Sequence, residues 1–389
     1  MKLRVGVIFG GKSVEHEVSV ISALQAIDSL DKSKYDIVPI YVSKNKDLYT
    51  GKELLKIEKY KDLESVKKVS RLVTLCKINN EFCLVALNGL RKVVDKIDVA
   101  FPIVHGQNVE DGTIAGYLET IGVPYVGSKV LGSALGQDKV VLKQVLQSND
   151  IPVTDYVWFY DNEYIMSKDI YLEKISKMGY PVVVKPACLG SSVGITFVKD
   201  DSSIEEAIEE AMEYDKKVLV EKAVENLVEV NCSVLGNYEK QEVGVLEEVM
   251  SSNDILTYKD KYVGNSKTKG ASKGMVSADR IIPARIDKKL VQEIEYLSTL
   301  AFRALNLSGV CRIDFLIDSK KNKVFVNEPN IIPGSLAFYL WEPKGKKYAS
   351  LLDDLITLAI KDYKNANKKV SHFDTNILEN FNGVKGMKK

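Results

Sequence analysis

Apolar and polar positions alternate along this 389-residue chain in two rhythms. Residues 3–9, LRVGVIF, are a short apolar run rich in β-branched side chains and read as a buried strand. Gly10-Gly11 ends it. From Ser13 the spacing changes to fours and threes (Val14, Val18, Ile21; Val20, Leu24, Ile27), predicting an amphipathic helix packed on that strand. YDIVPIYV (35–42) and DVAFPIVHG (98–106) read as further strands. Strand, helix, strand with short glycine turns predicts a parallel sheet with helices on its faces. VPYVG (123–127) closes this unit, and DKVVLKQVLQSND predicts a helix N-capped by Asp138.

From residue 180 the texture changes. YPVVVKP, ACLGSSVG and ITFVKD read as strand, glycine loop and strand, a hairpin. A helix near 202–215 and the strand KVLVEKAV follow. VNCSVLG, EVGVLEEVM and RIIPARI alternate as strands. A helix over 287–305 then leads into another hairpin, and a last helix spans about 348–362. The lysine-rich tail beyond 363 has little pattern.

The second hairpin carries the strongest chemical signal. CRIDFLID and VFVNEPN flank the polar loop SKKNK. Pairing Asp318 with Val324 sets Asp314 opposite Glu328 and Arg312 opposite Asn330. These four polar residues then share one face, with Ile313, Phe315 and Phe325 on the other. Two carboxylates about 5 Å apart repel by roughly 3–4 kcal/mol at an effective dielectric near 20. Such a face suits a bound cation, and all-oxygen ligands favour Mg²⁺. The bland alternative is an ordinary solvated sheet face. Pro329 cannot donate to a ladder, so the pattern lies at a strand end or edge.

KPACLGSSVGI (185–195) offers Lys185, glycines and two hydroxyls between strands, a loop able to cradle phosphate oxygens, or simply a turn that needs glycine. GVIFGGKS (6–13) matches the P-loop expression, but its VIF belongs to the first strand, where a P-loop requires loop.

Composition narrows the partners. Lys+Arg and Asp+Glu nearly cancel, with a formal net charge of +1, so nothing argues for nucleic acid or a membrane. Five scattered cysteines without a CxxC fit reduced thiols, hence a reducing, cytoplasmic setting. The apolar stretch at the amino terminus is too short for a signal peptide, and no run reaches bilayer length.

In order, GGKSVEHEVS, FPIVHGQNVEDG, VPYVG, SALGQDKVVLK, KPACLGSSVG, YKDKY, RIDF and NEPNIIPG resemble the D-alanine–D-alanine ligases of the ATP-grasp superfamily, over nearly all of residues 3–362. The resemblance implies an α/β fold, α+β in its C-terminal part: an N-terminal parallel-sheet substrate domain (1–127), then a two-lobed ATP-grasp fold. Its lobes would be 128–222 and 223–370, with a tail from 371. It implies ATP, two Mg²⁺ or Mn²⁺ ions, a homodimer, and ligation of two D-alanines through an acyl phosphate for peptidoglycan precursors. Residue by residue, it assigns metal ligation to Asp314, Glu328 and Asn330, and stabilisation of the oxyanion to Arg312. Phosphate contacts fall to Lys139, Lys185 and Lys261, with Gly190, Ser191 and Ser192 in the covering loop. Glu221 is placed beside the adenine and Glu229 on the ribose. Glu15 anchors the first substrate's ammonium group, with Ser191 and Tyr262 as its partners. His105, Gly334, Tyr339 and Leu340 are placed on the substrate side. For Glu15 the competing reading is a dipole-favoured acid in a helix's first turn, and for His105 a satisfied structural histidine.

The chain departs from the family pattern at Val109, Val228, Pro329 and Ile331, and Tyr339-Leu340 stand where a serine-leucine pair is common. None removes a charged catalytic group. They leave two rivals: an ATP-grasp ligase with another acceptor, such as D-serine or a specialised-metabolite amine, and a non-catalytic nucleotide-binding homologue.

Overall fold

In the computed structural model, which describes residues 2–106, 110–190, 193–250, 279–370 and 376, three sheets succeed one another along the chain. The strand Leu3–Gly10 lies between Tyr35–Val42 and Val99–Pro102 and pairs with both in parallel. Leu48–Thr50, Arg71–Ile78, Glu81–Ala86 and Val93–Ile97 extend the sheet antiparallel. The expected parallel sheet is therefore three strands wide inside a mixed sheet of seven. The added strands carry exposed charged residues at their ends, which interrupt the apolar pattern.

The first helix spans His16–Ser29, three residues later than its periodicity suggests. His16 is buried, its Nδ1 2.6 Å from the Gly11 carbonyl and its Nε2 3.1 Å from the Tyr41 hydroxyl. Those contacts pin the preceding turn. Ser13 Oγ accepts from the Glu15 N–H at 3.1 Å and donates to the His105 carbonyl at 2.7 Å. The buried stripe is Val20, Ala23, Leu24 and Ile27, while Val14 stays 57% exposed. The helix Tyr348–Ala366 returns to this unit: Leu351, Leu352, Leu355 and Ile356 share a core with Val5, Phe9 and Phe101.

The second sheet confirms the first hairpin, with Val182–Pro186 antiparallel to Thr196–Val198. Lys217–Lys222 pairs with Val182–Pro186 on one side and with Tyr156–Tyr160 on the other. The third sheet centres on Leu227–Gly236 and Gly309–Asp318, with Lys323–Asn330 at one edge. Helices Lys139–Ser148 and Lys288–Ala304 cover one face of it through Leu142, Leu146, Ile294 and Phe302. The opposite face looks toward the second sheet, and a cleft lies between them.

Asp138 caps the helix Lys139–Ser148 as expected, its Oδ1 accepting from the N–H groups of Val140 (3.0 Å) and Val141 (3.1 Å). Asp138→Ala should lower unfolding free energy by about 1–2 kcal/mol, while Asp138→Asn keeps most of it, because either side chain caps and alanine cannot. Urea unfolding of the two variants checks this.

Candidate active site

The hairpin Gly309–Asp318/Lys323–Asn330 reaches the expected polar constellation by an unexpected route. Beside the loop, Asp318 pairs with Lys323, one residue off the register inferred from loop length. A bulge at Asn327 absorbs the difference, so Asp314 faces Glu328 and Arg312 faces Asn330 as expected. The bulge also reverses Phe325, which sits opposite Leu316 on the site face, half-buried. Val324 and Val326 fill the core in its place. The loop-end register and the position of Phe325 are therefore corrected; the four polar positions stand.

Every charge on this face has a partner. The Arg312 guanidinium donates to both Asp314 oxygens, Nε at 2.8 Å and Nη2 at 3.0 Å, and the Asn330 amide donates to Asp314 at 3.0 Å. Lys139 reaches Glu328 at 3.0 Å and donates to the Leu189 carbonyl at 2.8 Å. Burial works against the Lys139 charge, but Glu328 outweighs it, so the ammonium's pKa is raised. Two carboxylates and an amide are hard oxygen donors suited to Mg²⁺. Among the described residues no group of three or more His, Cys, Asp or Glu forms a cage of its own. The donors present fit an ion that completes its shell with phosphate oxygens and water.

The face extends across the sheet. Glu247, Asn231, Asp314 and Glu328 lie in one cross-strand row. Asn231 was not singled out from the sequence, although Glu229, Asn231 and Ser233 alternate with buried Val230, Cys232 and Val234. That period-two signal was available.

Between the second and third sheets lies a cleft of about 720 Å³, within the range of small-molecule sites. Val183, Ile195, Phe197 and Leu316 give it apolar walls, and Glu229 also lines it. Lys139, Lys185, Asp314 and Glu328 are among its charged lining residues. Lys185 does not stand alone: its ammonium pairs with Glu221, whose other oxygen meets Lys143 at 2.9 Å. Thr154 completes the buried group, its hydroxyl 2.9 Å from Lys143 and 3.2 Å from Glu221. Burial pushes the Glu221 carboxyl upward, but Lys143 and Lys185 together hold it down at about 2. Lys143 was missed in the sequence. Its signal is the spacing of four from Lys139, which puts both ammoniums on one side of a helix.

A second cavity, of about 550 Å³, joins the first unit to the glycine loop. It is lined by Ser13, Glu15, Gly106, Leu189 and Gly190 among others. Lys139 lines the first cavity and holds the Leu189 carbonyl that lines the second. Glu15 thus shares a cavity with the loop expected to cover phosphate. His105 is buried, its Nε2 3.1 Å from the Ser22 hydroxyl, and burial lowers its pKa against the opposing pull of Glu15. Glu110, also missed, accepts from the Gly106 N–H at 2.6 Å. Burial and then Glu15 raise its pKa.

The segment after Pro333 has an unusual backbone. Gly334 opens a short 3₁₀ run in which Ser335, Leu336 and Ala337 adopt left-handed φ values of 49°, 53° and 51°. Ser335 N–H donates to Ser22 at 3.1 Å and its hydroxyl to Gln25 at 2.6 Å. Leu340 is fully buried and its carbonyl accepts from the Val245 N–H, whereas the Tyr339 hydroxyl is buried without a hydrogen-bond partner among the described residues. Val109, Ser191, Ser192, Lys261 and Tyr262 lie outside the described residues. No helix among the described residues is long and apolar enough to cross a membrane.

An apolar slot leading to paired lysines and a carboxylate–amide face fits a nucleotide-using enzyme, and similarity narrows it. The family model of the D-Ala D-Ala ligase N-terminus matches residues 4–128, and that of the C-terminus residues 145–357. The D-alanine–D-alanine ligase of Thermosipho melanesiensis is 39% identical over 377 residues, 97% of this chain and 98% of its own. Among solved structures, the VanG D-Ala:D-Ser ligase of Enterococcus faecalis superposes with a TM-score of 0.76 at 29% identity, covering 92% of this chain and 100% of its own. The D-alanine–D-alanine ligase of Coxiella burnetii gives 0.76 at 28%, covering 94% and 96%. The chain belongs to the D-alanine–D-alanine ligase family.

The Lys143–Glu221–Lys185 group sets an acid limit. Its carboxyl titrates near 2 in the fold against an ordinary 4.5, so its stabilisation is complete above pH 4.5 and is lost as pH falls toward 2. Glu221→Gln strands two buried ammoniums and should cost about 3–5 kcal/mol at neutral pH. Urea unfolding from pH 7 to 2.5 should show a shallower acid slope for the variant than for the wild type.

Proposed function

We propose that the protein is an ATP- and Mg²⁺-dependent ligase that joins two D-alanines through an acyl phosphate, a cytoplasmic step in making peptidoglycan precursors. The same reading makes it a homodimer divided near residues 127, 222 and 370. The observation that carries it is the convergence of Asp314, Glu328, Asn330, Arg312 and Lys139 where the nucleotide-sized cleft adjoins the Glu15 cavity.

The apolar walls take the base, Glu229 the ribose, and Lys139 and Lys185 the phosphates. Asp314, Glu328 and Asn330 would hold Mg²⁺, which when bound would supply charge neutralisation at the phosphoryl group. Glu15 pairs with the first D-alanine's ammonium and leaves its carboxylate directed at the γ-phosphoryl. A carboxylate oxygen attacks phosphorus, ADP leaves, and an acyl phosphate forms. The neutral amine of the second D-alanine then attacks the acyl carbon. Arg312, already rigid through two bonds to Asp314, stabilises the tetrahedral oxyanion, and inorganic phosphate departs as the peptide bond is completed. A buried, neutral His105 is a hydrogen-bonding group for substrate, fixed by Ser22.

A second reading, a D-serine acceptor, is favoured by Tyr339 in the acceptor segment. A phosphate-release screen across D- and L-amino acids, β-alanine and glycine separates the two: D-alanine alone with ATP should suffice. Absence of turnover with D-alanine, beside turnover with another pair, would reject the main reading. ATP binding without phosphate release from any amino acid would indicate a non-catalytic homologue.

Arg312→Ala should lower kcat about 10²–10³-fold and leave ATP affinity, measured by calorimetry, within a few-fold. Chelating Mg²⁺ should stop turnover. Asp314→Asn should raise the Mg²⁺ concentration needed for nucleotide binding, read by titration with a fluorescent ATP analogue.

A further inference from the structure

The helix Lys139–Ser148 carries two buried ammoniums one turn apart, and they reach opposite walls of the cleft. Lys139 meets Glu328 on the third sheet, and Lys143 meets Glu221 on the second. Glu221 and Lys185 line the cleft, whereas Lys143, only 2% exposed, does not. Lys185 has two tasks that conflict. At rest its ammonium pairs with Glu221 Oε1, a diagonal neighbour on the adjacent strand. Under the ligase reading it must instead serve phosphate. Were Lys185 the sole cation on Glu221, its departure would leave an uncompensated buried carboxylate facing an incoming anion. Lys143 removes that conflict. Its ammonium lies 2.9 Å from the other oxygen, Oε2, and 2.9 Å from the Thr154 hydroxyl, which is itself 3.2 Å from Oε2. The Tyr156 ring stands 5.6 Å away, a further cation–π partner. The two lysines thus use separate oxygens, and one can leave while the other stays. Burial lowers the Lys143 pKa, Glu221 opposes it and Lys185 lowers it further. Departure of Lys185 relieves that last repulsion.

We propose that Lys143 is the resident counter-ion that releases Lys185 to the nucleotide. As phosphate arrives, the Lys185 ammonium exchanges Glu221 Oε1 for a phosphate oxygen, while Glu221 stays paired with Lys143 and bonded to Thr154. This rests on the ligase reading above and deepens it, since Lys143 itself touches neither nucleotide nor amino acid. It is a positioning residue acting through Glu221, and it serves nucleoside di- and triphosphates rather than nucleosides.

The test compares wild type with Lys143→Met, Lys143→Arg, Glu221→Gln and the Lys143→Met/Glu221→Gln double variant. Calorimetry with Mg²⁺-ATP, Mg²⁺-ADP and adenosine measures binding, phosphate release with D-alanine measures turnover, and thermal melting reports folding. Lys143→Gln, which fills similar space, repeats the comparison should the methionine variant not fold. Lys143→Met should weaken ATP and ADP about 10–100-fold, because Glu221 then competes for Lys185, and change adenosine less than about threefold. The KM for ATP should rise in parallel while kcat at saturating ATP stays within about twofold, since binding rather than chemistry is affected. Lys143→Arg keeps the charge and should recover most of the affinity. In the Glu221→Gln background, Lys143→Met should change ATP affinity less than about threefold, because no carboxylate remains to recapture Lys185. A lysine that merely added positive field would cost the same in both backgrounds. Unchanged ATP affinity in a folded Lys143→Met, equal losses for ATP and adenosine, or equal losses in both backgrounds overturns the assignment. Wild-type protein that binds ATP yet releases no phosphate with any amino acid removes the ligase reading alone, and the binding comparison still decides this one.

Discussion

Asp314 and Glu328 face each other across a strand pair, and the site is organised around keeping that opposition tolerable. The compensation comes from different parts of the chain. Arg312 is two residues away on the same strand, Asn330 lies on the next strand, and Lys139 arrives from the first turn of the helix Lys139–Ser148. One repulsion thereby joins the third sheet to the helix beside the glycine loop. Buried pairs of this kind add little net stability, since desolvation offsets most of the attraction. Their value is positional: they hold the carboxylates and Arg312 in place before any ligand arrives, which is what transition-state stabilisation requires.

The second buried group repeats the logic on the opposite wall. Lys143 and Lys185 share Glu221, so the lining carries its cations largely neutralised by its own carboxylates. A bare triphosphate brings four negative charges to such a cleft and would meet Asp314 and Glu328 at close range. A metal-bound triphosphate brings the cations those carboxylates need. Under the proposed function, this charge pattern would favour the metal complex over the bare nucleotide.

Much of this was legible in the sequence, because polar residues at period two inside apolar strands have few structural excuses. Arg312, Asp314, Glu328 and Asn330 could be grouped from the alternation alone. The path to that grouping could not. A bulge is one extra residue with no compositional mark beyond a nearby proline, and it moved the loop-end register and Phe325 together. Lys143 was hidden for another reason: a lysine on an amphipathic helix reads as a solvated face until the helix is known to border a cleft. The antiparallel half of the first sheet escaped because its strands are half-exposed and edged by charges. The family resemblance, by contrast, rested on motif order, which survives substitutions at single positions.

The segment that follows Pro333 shows a limit of motif reading. Three successive non-glycine residues with left-handed φ cost about 1–2 kcal/mol each, so the turn at Ser335–Ala337 persists only because its surroundings over-determine it. Ser22 supplies part of that constraint, accepting from the Ser335 N–H while also contacting His105. It sits on the helix that begins beside Glu15. Displacing this turn would therefore disturb the helix His16–Ser29, and reshaping that helix would release the turn. The turn and the helix are coupled through one buried hydroxyl. Where Tyr339 points depends on that backbone as much as on its own side chain, and no run of letters in SLAFYLW displays that conformation.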